Sequence, residues 1–221
     1  DGTTMTTGDI LASMPGVDFL GDDSNNTLQG YAGDDRLEGG LGDDTLQGGA
    51  GKDTYVFNSG DGADTIFQHD AAASDQDTIE FGAGIMPENI VMARGSDGRL
   101  TMTITGDDGV PSGDSITVAG SSGQSPRVVF ADGAVWEASV LEEVRIPVEG
   151  TDAANTLNGG PYNDAISGLG GNDTLHGNDG SDLLDGGAGF DQMTGGAGDD
   201  VYLFGRGNSN DLVLAGAAAG G

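Results

Sequence analysis

The stretch Gly186-Gly-Ala-Gly-Phe-Asp-Gln-Met-Thr-Gly195-Gly-Ala-Gly-Asp-Asp-Val-Tyr-Leu203 is a single nine-residue phrase said twice. Working back from it, Gly150, Gly159, Gly168 and Gly177 open four more blocks of the same length. The sixth places hold Asn155, Asp164, Asp173, Asp182, Asp191 and Asp200; the eighth hold Leu157, Ile166, Leu175, Leu184, Met193 and Tyr202. Nine is not a whole number of helical turns, so no helix keeps those apolar residues on one face, whereas about six residues of turn and three of strand make a unit that stacks. A second array opens at Gly21, Gly30, Gly39 and Gly48, with Asn26, Asp35, Asp44 and Asp53 at the sixth places and Leu28, Leu37, Leu46 and Tyr55 at the eighth. After each array the phrase returns with a two-residue slip, Ser59 to Phe67 giving Asp64 and Ile66, and Arg206 to Leu214 giving Asp211 and Val213.

The residue types point to a particular chemistry. Glycine at the first, second and fourth places lets the backbone curl and turn its carbonyl oxygens inward. Aspartate, short enough for a tight turn, adds a hard oxygen ligand. With one apolar residue in nine, each block buries little, and folding crowds like charges together. Gly39-Gly-Leu-Gly-Asp-Asp-Thr-Leu-Gln47 and Gly195-Gly-Ala-Gly-Asp-Asp-Val-Tyr-Leu203 resemble the calcium-binding nonapeptide GGxGxDxUx of RTX (repeats-in-toxin) proteins.

The resemblance implies an all-β chain: two right-handed parallel β-rolls flanking a β-rich spacer, two nonapeptides to a coil, and several Ca2+ ions between turns one coil apart. Carboxylates 18 residues apart then pair, Asp35 with Asp53, Asp164 with Asp182, Asp173 with Asp191 and Asp182 with Asp200; Asp44 meets Asp64, and Asp191 meets Asp211, across the slipped turns. By the same resemblance the earlier turn adds carbonyls from its second and fourth places, and the later turn from its first and third. For Asp35 and Asp53 these are Tyr31, Gly33, Gly48 and Ala50. Elsewhere they are Gly40 and Gly42 with Asp61, Gly160 and Tyr162 with Gly177 and Asp179, and Leu169 and Gly171 with Gly186 and Ala188. Asn178 and Gly180 go with Gly195 and Ala197, and Gly187 and Gly189 face the turn of Asp211. Asn26 and Asn155 open the arrays with a neutral ligand, and Asp22, Ser24, Thr151 and Ala153 replace glycines, so each first coil is expected to bind weakly. Leu169, Asn178 and Tyr162 also replace glycines. Lys52 and Phe190 stand at the fifth place, whose side chain is expected to face solvent.

Outside the arrays the phrase stops. Residues 1–20 read as a lead-in that caps the first coil, 21–67 as the first roll, 68–149 as the spacer, 150–214 as the second roll and 215–221 as a tail. The spacer has candidate strands at Thr78 to Phe81, Ile90 to Ala93, Leu100 to Thr105, Ser115 to Ala119 and Arg127 to Phe130, with turns at Ser96-Asp-Gly98 and Ala131-Asp-Gly133. Trp136 to Val144 reads as a short amphipathic helix pressing Trp136, Val140 and Leu141 on the sheet. Asp77-Thr-Ile-Glu-Phe81 and Val129-Phe-Ala-Asp-Gly-Ala-Val-Trp136 resemble the β-rich unit found between RTX arrays.

The chain has 221 residues with 7 Lys+Arg against 37 Asp+Glu, a formal charge of -30 that repels nucleic acid and other polyanions. It contains no cysteine, and no apolar run reaches the roughly 20 residues of a membrane span. His69 and His176 lack partners for nucleophilic or zinc chemistry, adjacent Glu142 and Glu143 do not face each other, no GK[ST] follows the glycine runs and no segment has EF-hand spacing, so no enzyme activity is expected. The expected function is a calcium-binding structural module of a secreted RTX protein, in the extracellular space or on the cell surface of a bacterium, that folds on meeting extracellular Ca2+ after type I secretion. The alternative is a glycan-binding or polysaccharide-modifying module of the adhesin or epimerase kind. A surface glycan, read out through Trp136 or Arg99, or the remaining domains of a larger parent are its further expected partners.

Overall fold

The computed structural model describes residues 16–68, 75–95, 97–106, 108–119, 125–204 and 211–214. The expected lead-in over 1–15, His69, the start of the second slipped turn at Arg206 and the tail at 215–221 lie outside the described residues. The chain forms a nearly all-β parallel solenoid of the β-roll type, divided into two compact units, 1–93 with 99–142 and 94–98 with 143–221.

The first unit begins one strand, half a coil, before the first expected nonapeptide. β1 (Asp18–Leu20) and β2 (Thr27–Gln29) make one coil, β3 (Arg36–Glu38) and β4 (Thr45–Gln47) the next, and β5 (Thr54–Phe57) and β6 (Ala63–Phe67) the third. β1 pairs in parallel with β3, Phe19 opposite Leu37, so residues 18–20 are an edge strand hydrogen-bonded to the next coil. Odd strands stack in one sheet and even strands in another, so each eighth-place side chain faces the space between them. Leu37, Leu46, Tyr55 and Ile66 are fully buried there.

No break in hydrogen bonding separates this roll from the expected spacer. β7 (Thr78–Phe81) pairs with β5, while β8 (Ile90–Arg94), β9 (Leu100–Thr105) and β10 (Pro111–Ala119) extend the other sheet through a parallel β6–β10 pair. β11 (Arg127–Phe130) and β12 (Val135–Trp136) then continue the first sheet, joined by a turn through Gly133. The boundary expected at residue 68 is therefore a change of sequence pattern within continuous sheets. The extension also has a denser core: Phe57, Phe81, Phe130 and Trp136 follow one another at centroid distances of 6.0, 5.3 and 4.9 Å, edge-on, stacked and edge-on in turn, beside buried Ile79, Ile85, Met102, Ile104, Ile116 and Val128. The expected helix is shorter, α1 (Ala138–Glu142), because Trp136 is committed to β12; Leu141 is buried beneath it and Val140 faces out.

The second unit also starts early. β13 (Ile146–Thr151) pairs with β15 (Asp164–Leu169), Val148 opposite Ile166, before the first nonapeptide is complete. β14 (Thr156–Asn158), β16 (Thr174–Asp179), β18 (Gln192–Ala197) and β20 (Leu212–Val213) form one four-stranded sheet, and β13, β15, β17 (Leu183–Asp185) and β19 (Val201–Leu203) the other. Ile166, Leu175, Leu184 and Met193 make its buried core, flanked by partly buried Val148, Leu157 and Tyr202.

So slender a core makes each eighth-place residue costly to lose. Leu175→Ala should destabilise the second unit by about 3 kcal/mol, within the usual range for a buried leucine, and the partly buried Leu157→Ala by clearly less. Denaturant unfolding at constant calcium checks the order.

Candidate metal centre

The sixth-place aspartates form a ladder of their own. Each carboxylate offers one oxygen to the backbone N–H of the sixth-place residue one coil earlier: Asp53 Oδ1 accepts from Asp35 at 2.9 Å, Asp182 from Asp164 at 2.8 Å, Asp191 from Asp173 at 2.8 Å and Asp200 from Asp182 at 3.0 Å. The slipped turns keep the pattern, Asp64 Oδ1 accepting from Asp44 at 2.9 Å and Asp211 Oδ1 from Asp191 at 3.1 Å. The two residues of each of the six expected pairs are thus neighbours, one through its carboxylate and the other through its backbone N–H. The ladder continues where no nonapeptide predicts it, since Asp77 Oδ1 accepts from Asp53 N–H at 3.0 Å.

The second oxygen tests whether the site suits a cation. Asp44, Asp64, Asp173, Asp182, Asp191 and Asp211 each keep Oδ2 buried with no hydrogen-bond partner, and Asp164 keeps Oδ1 so. A buried carboxylate oxygen without a partner is costly, and a hard cation relieves it. Asp35 is the exception, its oxygens taken by Val17 N–H at 2.7 Å and Tyr31 N–H at 3.0 Å. Asn26 and Asn155 close their turns locally, accepting from Asp22 N–H at 2.7 Å and Thr151 N–H at 2.6 Å. The exposed Asp22 carboxyl is held below its ordinary value by hydrogen bonds from the Ser24 hydroxyl and then Asn26.

A cation in these turns would need main-chain oxygen besides the carboxylates. No group of three or more His, Cys, Asp or Glu side chains suited to a metal occurs among the described residues, so main-chain oxygen must supply what two carboxylates do not. The Tyr31 carbonyl accepts from Ala50 N–H at 3.0 Å and the Ala50 carbonyl from Gly33 N–H at 2.8 Å; Leu169 and Ala188 repeat the arrangement in the second unit. Each such oxygen retains a second lone pair. The cradle leaves no room for side chains at the first place: a Cβ on Gly48 would overlap Asp53 Oδ2, and one on Gly195 would overlap Asp200 Oδ2. Two of the glycine replacements keep the left-handed backbone, Leu169 at φ 68° and Asn178 at φ 79°, and Asn178 Nδ2 also donates to Gly159 O at 2.9 Å. The pattern therefore survives these departures, with strain concentrated at Leu169.

The fifth-place side chains Lys52 and Phe190 are exposed, as expected, and the place also carries a ladder of its own. Asn25 Oδ1 accepts from Asp43 N–H, Asp34 Oδ1 from Lys52 N–H, Asn163 Oδ1 from Ser181 N–H and Asn172 Oδ1 from Phe190 N–H, at 2.7–3.1 Å. Lys52 and Phe190 donate to this outer ladder but have no side-chain oxygen to pass it on. Two tyrosines end the arrays: Tyr55 Oη accepts from Gly48 N–H at 3.0 Å and Tyr202 Oη from Gly195 N–H at 2.8 Å. Asp114 is a further acid invisible to the repeat; its Oδ2 accepts from Gly60 N–H at 2.9 Å.

Charge crowding is visible in the protonation of these groups. Burial, with Asp44, Asp61 and Asp43 adding repulsion, pushes Asp64 up to about 7. Burial likewise takes Asp182 to about 6, Asp164 and Asp200 adding to the rise and Arg145 opposing it. Asp61, Asp164 and Asp191 are raised too, chiefly by burial.

Residues 20–55, 149–184 and 176–211 match the family model described as RTX calcium-binding nonapeptide repeat (4 copies). No curated protein matches the chain.

Raised carboxylates bind protons more tightly folded than unfolded, so the metal-free fold loses stability as pH rises from their ordinary 3.8 through about 6 for Asp182 and about 7 for Asp64. In chelator, far-UV β signal should therefore grow as pH is lowered across that window. In calcium, where metal competes with protons, apparent affinity should fall over the same range.

Proposed function

We propose that this chain, whose two arrays are RTX calcium-binding nonapeptide repeats, is a structural module held shut by several calcium ions and completed outside the cell. The observation that carries the reading is the ladder of buried aspartates, each with one oxygen in the backbone and one unmatched oxygen facing the turn. Calcium, when bound, supplies two positive charges and six to eight coordination positions for oxygen.

The chain's own residues do the rest. Asp44 with Asp64, Asp164 with Asp182, Asp173 with Asp191, Asp182 with Asp200, and Asp191 with Asp211 would hold ions in pairs, with second- and fourth-place carbonyls above and first- and third-place carbonyls below. Asp35 with Asp53 completes the first array, weakened because Asp35 is already satisfied. Modules that work outside cells bind calcium with Kd on the order of 10⁻⁴ to 10⁻³ M, too weakly to load in the cytosol. Binding free energy then becomes folding free energy, about 2.7 kcal/mol per site at a hundredfold excess over Kd. Export before folding and completion afterwards follow from that difference in concentration.

No observation favours the glycan alternative. Trp136, which that reading needs as a sugar platform, packs edge-on against Phe130.

Calorimetric titration should find several ions and far-UV circular dichroism should gain β signal as they bind; a spectrum indifferent to calcium would sink the proposal. Asp173 accepts from Asn155 N–H and donates to Asp191, so it serves both neighbouring turns, whereas Asp152 is exposed. Asp173→Ala should therefore lower calcium affinity several-fold more than Asp152→Ala, and equal effects would show the register to be wrong.

A further inference from the structure

Gln68 stands where the arrays have glycine. β4 and β6 pair Leu46 with Ile66, which makes Gln68 the register counterpart of Gly48. β5 and β7 pair Thr54 with Thr78, which makes Asp77 the counterpart of Asp53. At Gly48 a side chain would collide with the aspartate. Between Gln68 and Asp77, however, the sequence is four residues longer than between Gly48 and Asp53. Gln68 is buried, its backbone N–H donates to Ala119 O at 3.0 Å, and its Nε2 donates to Asp77 Oδ2 at 3.3 Å.

With Asp77 Oδ1 accepting from Asp53 N–H, both oxygens of this buried carboxylate are met from within the chain. At Asp44, Asp64, Asp173, Asp182 and Asp191 one oxygen is not. Directly beyond this rung lies the aromatic file Phe57, Phe81, Phe130 and Trp136, with Ile79, Met102, Ile104, Ile116, Val128 and Leu141 buried around it. Among the described residues of the second unit the buried hydrophobic side chains are Ile146, Ile166, Leu175, Leu184 and Met193, none of them aromatic.

We infer that the β7-to-α1 extension folds without any divalent cation, with the Gln68 amide taking the cation's place against Asp77, and that it offers a ready edge on which the calcium-dependent coils of the first array assemble. This rests on the proposed calcium dependence of the arrays and limits where it applies. An amide N–H can satisfy one carboxylate oxygen but brings no net charge, so it suits a rung with a single lone oxygen and a large apolar backing. The coils with a thin core and several facing carboxylates have neither. Calcium would thus complete a fold already begun in the first unit and create the fold of the second.

The single tryptophan, Trp136, lies in the extension and reports on it alone. The experiment follows its fluorescence together with far-UV circular dichroism on the full chain, from chelator into millimolar calcium chloride. The expected result is an emission maximum already blue-shifted from the urea-denatured value in chelator, lost cooperatively in urea, and left in place by calcium while the β signal rises. A denatured-like maximum in chelator that shifts together with the β signal overturns this inference and leaves the calcium reading standing. A β signal that ignores calcium while Trp136 is native overturns the calcium reading instead. Gln68→Glu, which sets a second carboxylate against Asp77, should make the Trp136 shift calcium-dependent; emission equal to wild type in both conditions would remove Gln68 from this role. The wild-type comparison decides the main point even where the variant fails to fold.

Discussion

A single carboxylate that serves two neighbours governs this protein. The sixth-place aspartate sends one oxygen to the backbone of the coil before it and leaves the other in the turn. The first bond fixes the spacing between coils; the second oxygen makes that spacing expensive unless something positive lies in the turn. Stacking and charge are therefore inseparable, and removing the acid would loosen the very contact that sets the register. The first-place glycines follow from the same geometry, because the aspartate fills the space a Cβ would need.

Differences between the units come from what backs the ladder. In the first, the ladder runs onto Asp77 and meets an amide, an aromatic file and an antiparallel β9–β10 pair. In the second, the N–H of Ile146, which stands opposite Asp164, donates to Asn163 O at 2.9 Å, so Asp164 ends its run with Oδ1 lacking a hydrogen-bond partner. The same nonapeptide chemistry thus sits on a firm base in one case and on little more than its own side chains in the other.

Much of this was legible in the period of nine. Every sixth-place pair and every eighth-place core residue of the arrays follows from counting, because a residue and its neighbour on the next coil are 18 apart and the pattern repeats without interruption. Counting failed where the spacing changed. Asp77 lies 24 residues after Asp53, and Ser115 pairs with Ala63 across 52 residues, so neither could be placed in the stack by periodicity although both continue it. Phe19 and Ile146 were missed for the opposite reason: their strands keep the spacing but lack the glycines and acid that announce a repeat. The fifth-place ladder escaped because an exposed Asn or Asp looks like a solvated side chain until its backbone partner is known.

Uniform repeats carry a hazard that the irregular residues resolve. Shifting a strand by one coil keeps glycine against glycine, aspartate against aspartate and leucine against leucine, so the interior of an array scarcely distinguishes the correct register from its neighbours. Discrimination has to come from places where the phrase is broken. Tyr55 and Tyr202 accept from the first glycine of their own block, a bond no leucine can make, and so mark where each array stops. The two-residue slip after each array sets Asp64 and Asp211 20 residues beyond their partners, a spacing that fits only the last rung. Gln68 and Asp77 form a contact that exists once in the described chain and joins the first array to the extension. Coils that assemble outward from such a fixed point need close only a short loop at each step, with the register inherited from the edge already in place.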